Sequence, residues 1–170
     1  MNTLLAQVSD GIDAATEGLT DEQMAWRPPG KWSAAEILEH LERTYQSTAT
    51  RLSKALASGE LRLTPATWRQ RVARWVVVGV GYMPSGRAAP EFALPAGMAP
   101  RQALEQVRES LTKMDGALEE CERRFGPGKL TNHFAFGPLS AQEWRRFHWV
   151  HGRHHLRQIA ARRARIGMPR

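Results

Sequence analysis

Ser140-Ala-Gln-Glu-Trp144-Arg-Arg-Phe-His148-Trp-Val-His151-Gly-Arg-His154-His155-Leu-Arg-Gln158-Ile159 is the stretch on which the reading of this chain turns. Its first four residues form a Ser-x-x-Glu capping box, and the spacing that follows predicts one helix from Ser140 to about Ile166. Trp144, His148, His151, His155 and Ile159 fall on a single face of it. Aromatic and aliphatic residues bound that face, so the imidazoles should point into a core, where polar rings are costly unless something satisfies them. A divalent cation does so, because neutral imidazole nitrogen is a good ligand for zinc, nickel, copper or iron. His151 and His155 lie one turn apart and can reach one ion, but two ligands do not make a site.

Working outward, Ser33-Ala-Ala-Glu36 is a second capping box, opening a helix that should reach Ser58 and stop at Gly59. Its inward stripe reads Ile37, His40 or Leu41, Thr44, Thr48, Leu52 and Leu56. A lone histidine on an apolar face is usually a core residue bonded to a neighbour. Beside His151 and His155, however, His40 becomes the candidate third ligand, since helix bundles build metal sites from inward side chains on facing helices. Three protein ligands leave a coordination position open, the arrangement of a catalytic rather than a structural site. His148 and His154 are neighbours that could touch a ligand, the site's rim or a substrate, and Gln158 could orient a ligand by a hydrogen bond. His133 falls in a loop, where an exposed or turn-stabilising role is expected.

The rest of the chain is helical in pattern. A first helix is expected over Thr3 to Glu17, with Leu4, Leu5, Val8, Ile12 and Ala15 at amphipathic spacing, and Thr20-Asp-Glu-Gln23 resembles a further capping box. Thr64-Pro65 reads as an N-cap with proline at the first helical position, starting a helix that carries Trp68, Val72, Trp75 and Val76 and fades at Gly79 and Gly81. Pro84 to Pro100 is a long loop rich in proline, glycine and alanine. The next helix starts near Pro100, with Ala103, Leu104, Val107, Leu111, Met114, Leu118 and Cys121 as its stripe, and Gly126-Pro127-Gly128 ends it. No repeat and no alternating strand pattern of useful length appears. The expected fold is all-α, a single domain over residues 1–170 with four main helices plus a short helix or turns.

Composition narrows the function classes. At 170 residues, 42% hydrophobic and 24% charged, the chain can bury a core without staples. One cysteine excludes an intrachain disulfide, and with no signal-like start this fits a cytoplasmic protein. The apolar run Trp75 to Met83 is far shorter than the roughly 20 residues a membrane span needs, and no membrane partner is expected. The net charge of +7 and the basic stretch Arg157 to Arg170 raise nucleic-acid binding, but the arginines are not interleaved with a stacking platform. A solvated basic helix end is the plainer account. Cys121 sits on an apolar stripe and should be a buried, inert thiol. His-Glu-x-x-His, Gly-x-Ser-x-Gly and phosphate-binding glycine loops are absent.

Trp32-Ser33-Ala-Ala-Glu36-Ile-Leu-Glu-His40-Leu, followed at long range by His151-Gly-Arg-His154-His155-Leu-Arg-Gln158-Ile159, resembles the DinB/YfiT-like superfamily. The segment from His133 to Trp144 resembles a subgroup related to it. The resemblance implies a four-helix bundle with up-down-down-up connectivity and a long crossover between the second and third main helices. It also implies a divalent metal, zinc or nickel most often, on His40, His151 and His155, and a homodimer. Members include thiol S-transferases and isomerases that use low-molecular-weight thiols such as mycothiol, bacillithiol or glutathione, and hydrolases. The chain departs from the pattern in its extra His148 and in the stretch Pro84 to Pro100. Taken together, the expectation is a metal-dependent enzyme acting on a small molecule, foremost a thiol S-transferase. In it Arg43, Arg153 or Arg157 would hold the carboxylates of a thiol cosubstrate. A hydrolase using an activated water and a non-catalytic metal-binding stress protein are the alternatives.

Overall fold

Side-chain caps start most of the helices, and in the computed structural model, which describes residues 1–86 and 88–167, each expected capping box closes with both reciprocal hydrogen bonds. Helices α1 (Thr3–Thr16), α2 (Asp21–Ala25) and α3 (Ala34–Ser58) follow in order, the last ended by Gly59 at φ 71°. The crossover carries α4 (Trp68–Arg74), which continues into a π-helical turn over Trp75–Val80 and ends at Gly81. A single 3-10 turn, Glu91–Ala93, interrupts the loop before α5 (Pro100–Phe125) and α6 (Ala141–Arg165). Residue 87 of that loop and residues 168–170 of the basic C-terminal stretch lie outside the described residues.

Cross-helix contacts give the direction of each main helix. Gln7 accepts from Trp149 Nε1 and the Ala14 carbonyl accepts from Arg163, so α1 and α6 run parallel. Ser110 meets Glu42 and Arg124 caps the Leu56 carbonyl, so α3 and α5 also run parallel. Against these, Asn2 meets Asp115 while Asp13 meets Arg108, and Trp32 meets Arg162 while Thr48 meets His148, so α1–α5 and α3–α6 are antiparallel. The connectivity is therefore up-down-down-up, and the 41 residues between Ser58 and Pro100 form the long crossover that it needs.

The core follows the predicted stripes. Leu5, Val8 and Ile12 of α1 are fully buried, as are Ile37, Leu38, Leu41 and Leu52 of α3 and Val107, Leu111, Met114, Leu118 and Cys121 of α5. Close approach of α1 to α6 depends on Gly152: a Cβ there would lie 2.9 Å from Val8 Cγ1. Where α1 meets α5 and α6, the half-buried Arg145 guanidinium bonds Asp115 at 3.2 Å and Glu122 at 2.8 Å, and Asp115 also accepts from the Asn2 amide. Among the described residues, no helix is long and apolar enough to cross a membrane.

Three expectations need correction. The crossover helix starts at Trp68, with Thr67 and Gln70 forming its capping box, and the Thr64 amide instead bonds Asn132 Oδ1. The reciprocal bonds of the box outcompete the proline signal. Strands occur: β1 (Lys129–His133) and β2 (Gly137–Ser140) form an antiparallel hairpin between α5 and α6. With five and four residues and a register irregularity after Lys129, it is too short to alternate visibly in sequence. His133 ends β1 instead of lying in an exposed loop. It is 7% exposed and packs between Phe134 and Phe136, while its Nδ1 accepts from the Ala135 amide and so stabilises the turn.

Candidate metal centre

His40 comes from the N-terminal half of α3, and His151 and His155 from successive turns of α6, which runs antiparallel beside it. The Nε2 atoms of His40 and His151 are 3.2 Å apart, and those of His151 and His155 are 3.1 Å apart. All three ligand nitrogens fall within 4.8 Å of one another. Nitrogens at zinc-like bond lengths around one tetrahedral ion are about 3.3 Å apart, so the cluster has the size of a coordination sphere.

The hydrogen bonds of His40 and His155 fix which nitrogen each ring turns toward the others. His40 Nδ1 donates to the Ala93 carbonyl at 2.8 Å, since a carbonyl can only accept, and this leaves its Nε2 as a lone pair. His155 Nδ1 donates to Gln158 Oε1 at 3.1 Å, which does the same for its Nε2. The amide of Gln158 in turn donates to His154 Nε2 at 3.0 Å. Two lone pairs therefore converge on His151 Nε2, and the Nδ1 of that ring is buried with no hydrogen-bond partner. A single N–H on His151 can satisfy only one of the facing nitrogens. Protonation is no remedy: burial pulls His151 and His40 below the usual histidine range, and burial with the neighbouring rings pulls His155 to about 3. A divalent cation accepts all three lone pairs at once, so the donor set fits one.

The crossover is fastened beside this cluster. Glu39, 1% exposed, accepts from the amides of Ala96, Gly97 and Met98 and pairs with Arg43 at 3.2 Å. Although burial raises its pKa, those amides and the guanidinium more than offset this and hold the carboxyl below the usual glutamate value. Ala93, whose carbonyl orients His40, lies just before the clasped segment.

The three histidines open into a cavity of about 1240 Å³. Trp32, Val76, Met83, Phe92, Phe136 and Phe147 line much of it, together with the polar Thr44, Thr48, His154 and Gln158. Lys31, Arg51, Arg69 and Arg162 also line it, and among the described residues no aspartate or glutamate does.

The expected neighbours separate. His154 and Gln158 border the cavity, whereas His148, 0% exposed, does not. It bonds Thr48 Oγ1 through Nε2 and stacks on Trp144, and burial lowers its pKa to about 3. Arg43, Arg153 and Arg157 do not line the cavity. Arg43 is held by Glu39 and Arg153 lies over Trp149, while Arg157, two residues past His155, points about 200° away around the helix. Arg162 escaped the sequence reading, although its place two turns beyond His155 on the histidine face is a signal that could have found it; Arg51, Lys31 and the Glu39 clasp are placed by tertiary packing alone. Cys121 is buried, and its thiol is pushed up to about 11, chiefly by burial.

Comparison with known proteins agrees with this architecture. The fold matches a solved structure of YfiT from Bacillus subtilis, described as a probable metal-dependent hydrolase with an unusual four-helix bundle topology. That match has a TM-score of 0.60 and 16% identity, and covers 98% of this chain and 85% of that one. No curated protein matches the sequence. The model of the DinB superfamily matches residues 4–159, nearly the whole chain, and the protein therefore belongs to the DinB superfamily.

Proposed function

We propose that this protein is a metal-dependent enzyme acting on a small molecule, and that its reaction is transfer to the sulfur of a low-molecular-weight thiol. The observation that carries the proposal is the convergence of three imidazole nitrogens on a cavity that no carboxylate among the described residues lines. A divalent ion held by His40, His151 and His155 would act as a Lewis acid, lowering the pKa of a thiol or a water presented to it. The absence of a lining carboxylate favours the thiol. Hydrolysis gains from a side-chain base that takes a proton from the attacking water, and Glu39, the nearest buried carboxylate in sequence, is committed to three amides and Arg43.

The chain's own residues would do the positioning. Arg162, held by the Trp32 and Gln158 carbonyls, and Arg51, which bonds the Asn132 carbonyl, present cations to the cavity that suit a thiol's carboxylates. Phe92, Phe136 and Phe147 offer the apolar surface for an electrophile. Three imidazoles without a carboxylate suit zinc, nickel, copper or iron, and of these zinc or nickel is the ion proposed here.

Elemental analysis of the purified chain beside His40→Ala and His155→Ala tests the centre: one equivalent of metal in the parent, lost in both variants, is expected. Metal that persists in both variants would sink it. A panel of thiols with a generic electrophile, set against a panel of esters, then tests the reaction. Thiol-dependent turnover abolished by chelation is expected, whereas ester hydrolysis with no thiol requirement would identify a hydrolase instead.

A further inference from the structure

The crossover between α3 and α5 has a second character that the metal centre does not use. Residues 61–90 contain five arginines, no lysine and no acidic residue. Trp68, Trp75 and Tyr82 recur at intervals of seven, with Val72 between the first two. The outward side of α4 and the π-helical turn is apolar: Trp68 and Trp75 are each 67% exposed, Val72 is 53% and Tyr82 is 61% exposed. The opposite side is anchored to the bundle, with Val77 and Val78 buried and the Val78 carbonyl accepting from Arg146. Exposed Arg69 and Arg71 flank the tryptophan face, Arg69 lying over the Trp68 ring at 5.4 Å. Phe92 and Phe134, also exposed and in edge-to-face contact, carry this surface to the cavity, which Trp68, Arg69 and Val72 line as well.

We propose that the outward face of α4 and the π-helical turn is a docking surface for an anionic lipid bilayer. Exposed tryptophan and tyrosine place an apolar ring at headgroup depth with a polar edge in water, and flanking arginines pair with lipid phosphates. Charge complementarity selects this occupant: exposed Arg69 and Arg71 flank the face and residues 61–90 hold no acidic side chain, so the face meets an anionic surface favourably but repels a second copy of itself in a symmetric contact. Docking needs no spanning helix, so the shortness of the apolar run does not bear on it. In the docked state the mouth of the cavity would lie against the headgroups, open to molecules partitioned into the bilayer.

Co-sedimentation of the full chain with vesicles tests this. Binding to vesicles of phosphatidylcholine and phosphatidylglycerol in equal parts should exceed binding to phosphatidylcholine alone by about tenfold or more, and should fall when sodium chloride is raised from about 0.05 to about 0.5 M. Trp75→Ser and Arg71→Glu, both at exposed positions that do not line the cavity, should each weaken binding by about tenfold while circular dichroism stays unchanged. Equal binding to both vesicle types, or undiminished binding by the double variant, overturns the proposal. So does a salt-resistant dimer in sedimentation velocity that Trp75→Ser converts to monomer, since the face would then belong to a second copy.

Discussion

Gln158 carries more of the metal centre than its chemistry suggests, because its amide bridges the two neighbouring imidazoles. Its oxygen accepts from His155 Nδ1 and its nitrogen donates to His154, and this fixes which nitrogen His155 presents to the cluster. Gln158→Leu should therefore lower metal affinity by about 10- to 100-fold with the fold intact, as read by competition with a chelator of known affinity. Unchanged affinity would show that the tautomer of His155 is set elsewhere. Glu39 gives a prediction of the opposite kind, on stability. Its carboxyl titrates below the ordinary value of 4.5, so its contribution is fully present above that pH and is lost as the pH falls through the lower, folded-state value. Urea midpoints measured from neutral pH downward should decline more steeply for the parent than for Glu39→Gln, which starts less stable at neutral pH. Parallel curves would remove the clasp from the account.

Among the elements, α6 combines two demands that conflict in sequence. Its histidine face must meet α3 while Gly152, one residue from His151, lets α1 approach from another side. Gly152→Val adds a side chain where Val8 already stands and should cost about 1–3 kcal/mol in chemical denaturation. A neutral result would mean that α1 can retreat without loss. The helices were legible because each announces itself locally. Ser33, Thr20 and Ser140 begin capping boxes, and the stripe from Ala103 to Cys121 repeats at helical spacing. The hairpin was not, since Lys129–His133 and Gly137–Ser140 owe their pairing to the ends of α5 and α6 that hold them and not to any alternation of their own. His133 shares that fate: its burial among Phe134, Phe136 and Phe147 comes from the hairpin folding back on α6. Trp68 and Trp75 share a face by helical spacing, but spacing does not say whether that face is covered, and the structure leaves both exposed.

For the whole molecule, the metal centre joins α3 to α6, so an ion there is a folding ligand as well as a reagent. Chelation should lower the unfolding free energy by about 2.7 kcal/mol relative to protein held at 100 times the dissociation constant in free metal, as seen by thermal or urea unfolding. His155→Ala should show no such response; if it does, the stabilising ion binds elsewhere. By itself the sequence determined the four main helices, their inward faces and the pairing of His151 with His155, since these depend on residues within a few turns of one another. It also singled out His40, whose polar ring is out of place on an apolar stripe. Only the tertiary structure decided that His40 Nε2 lies 3.2 Å from His151, that Ala93 and Gln158 fix the tautomers, and that Arg51 and Arg162, not Arg43, Arg153 or Arg157, face the cavity. Helical phase is a local property, but which phases meet depends on the parallel pairing of α1 with α6 and α3 with α5, which the long crossover makes possible and no short-range pattern encodes.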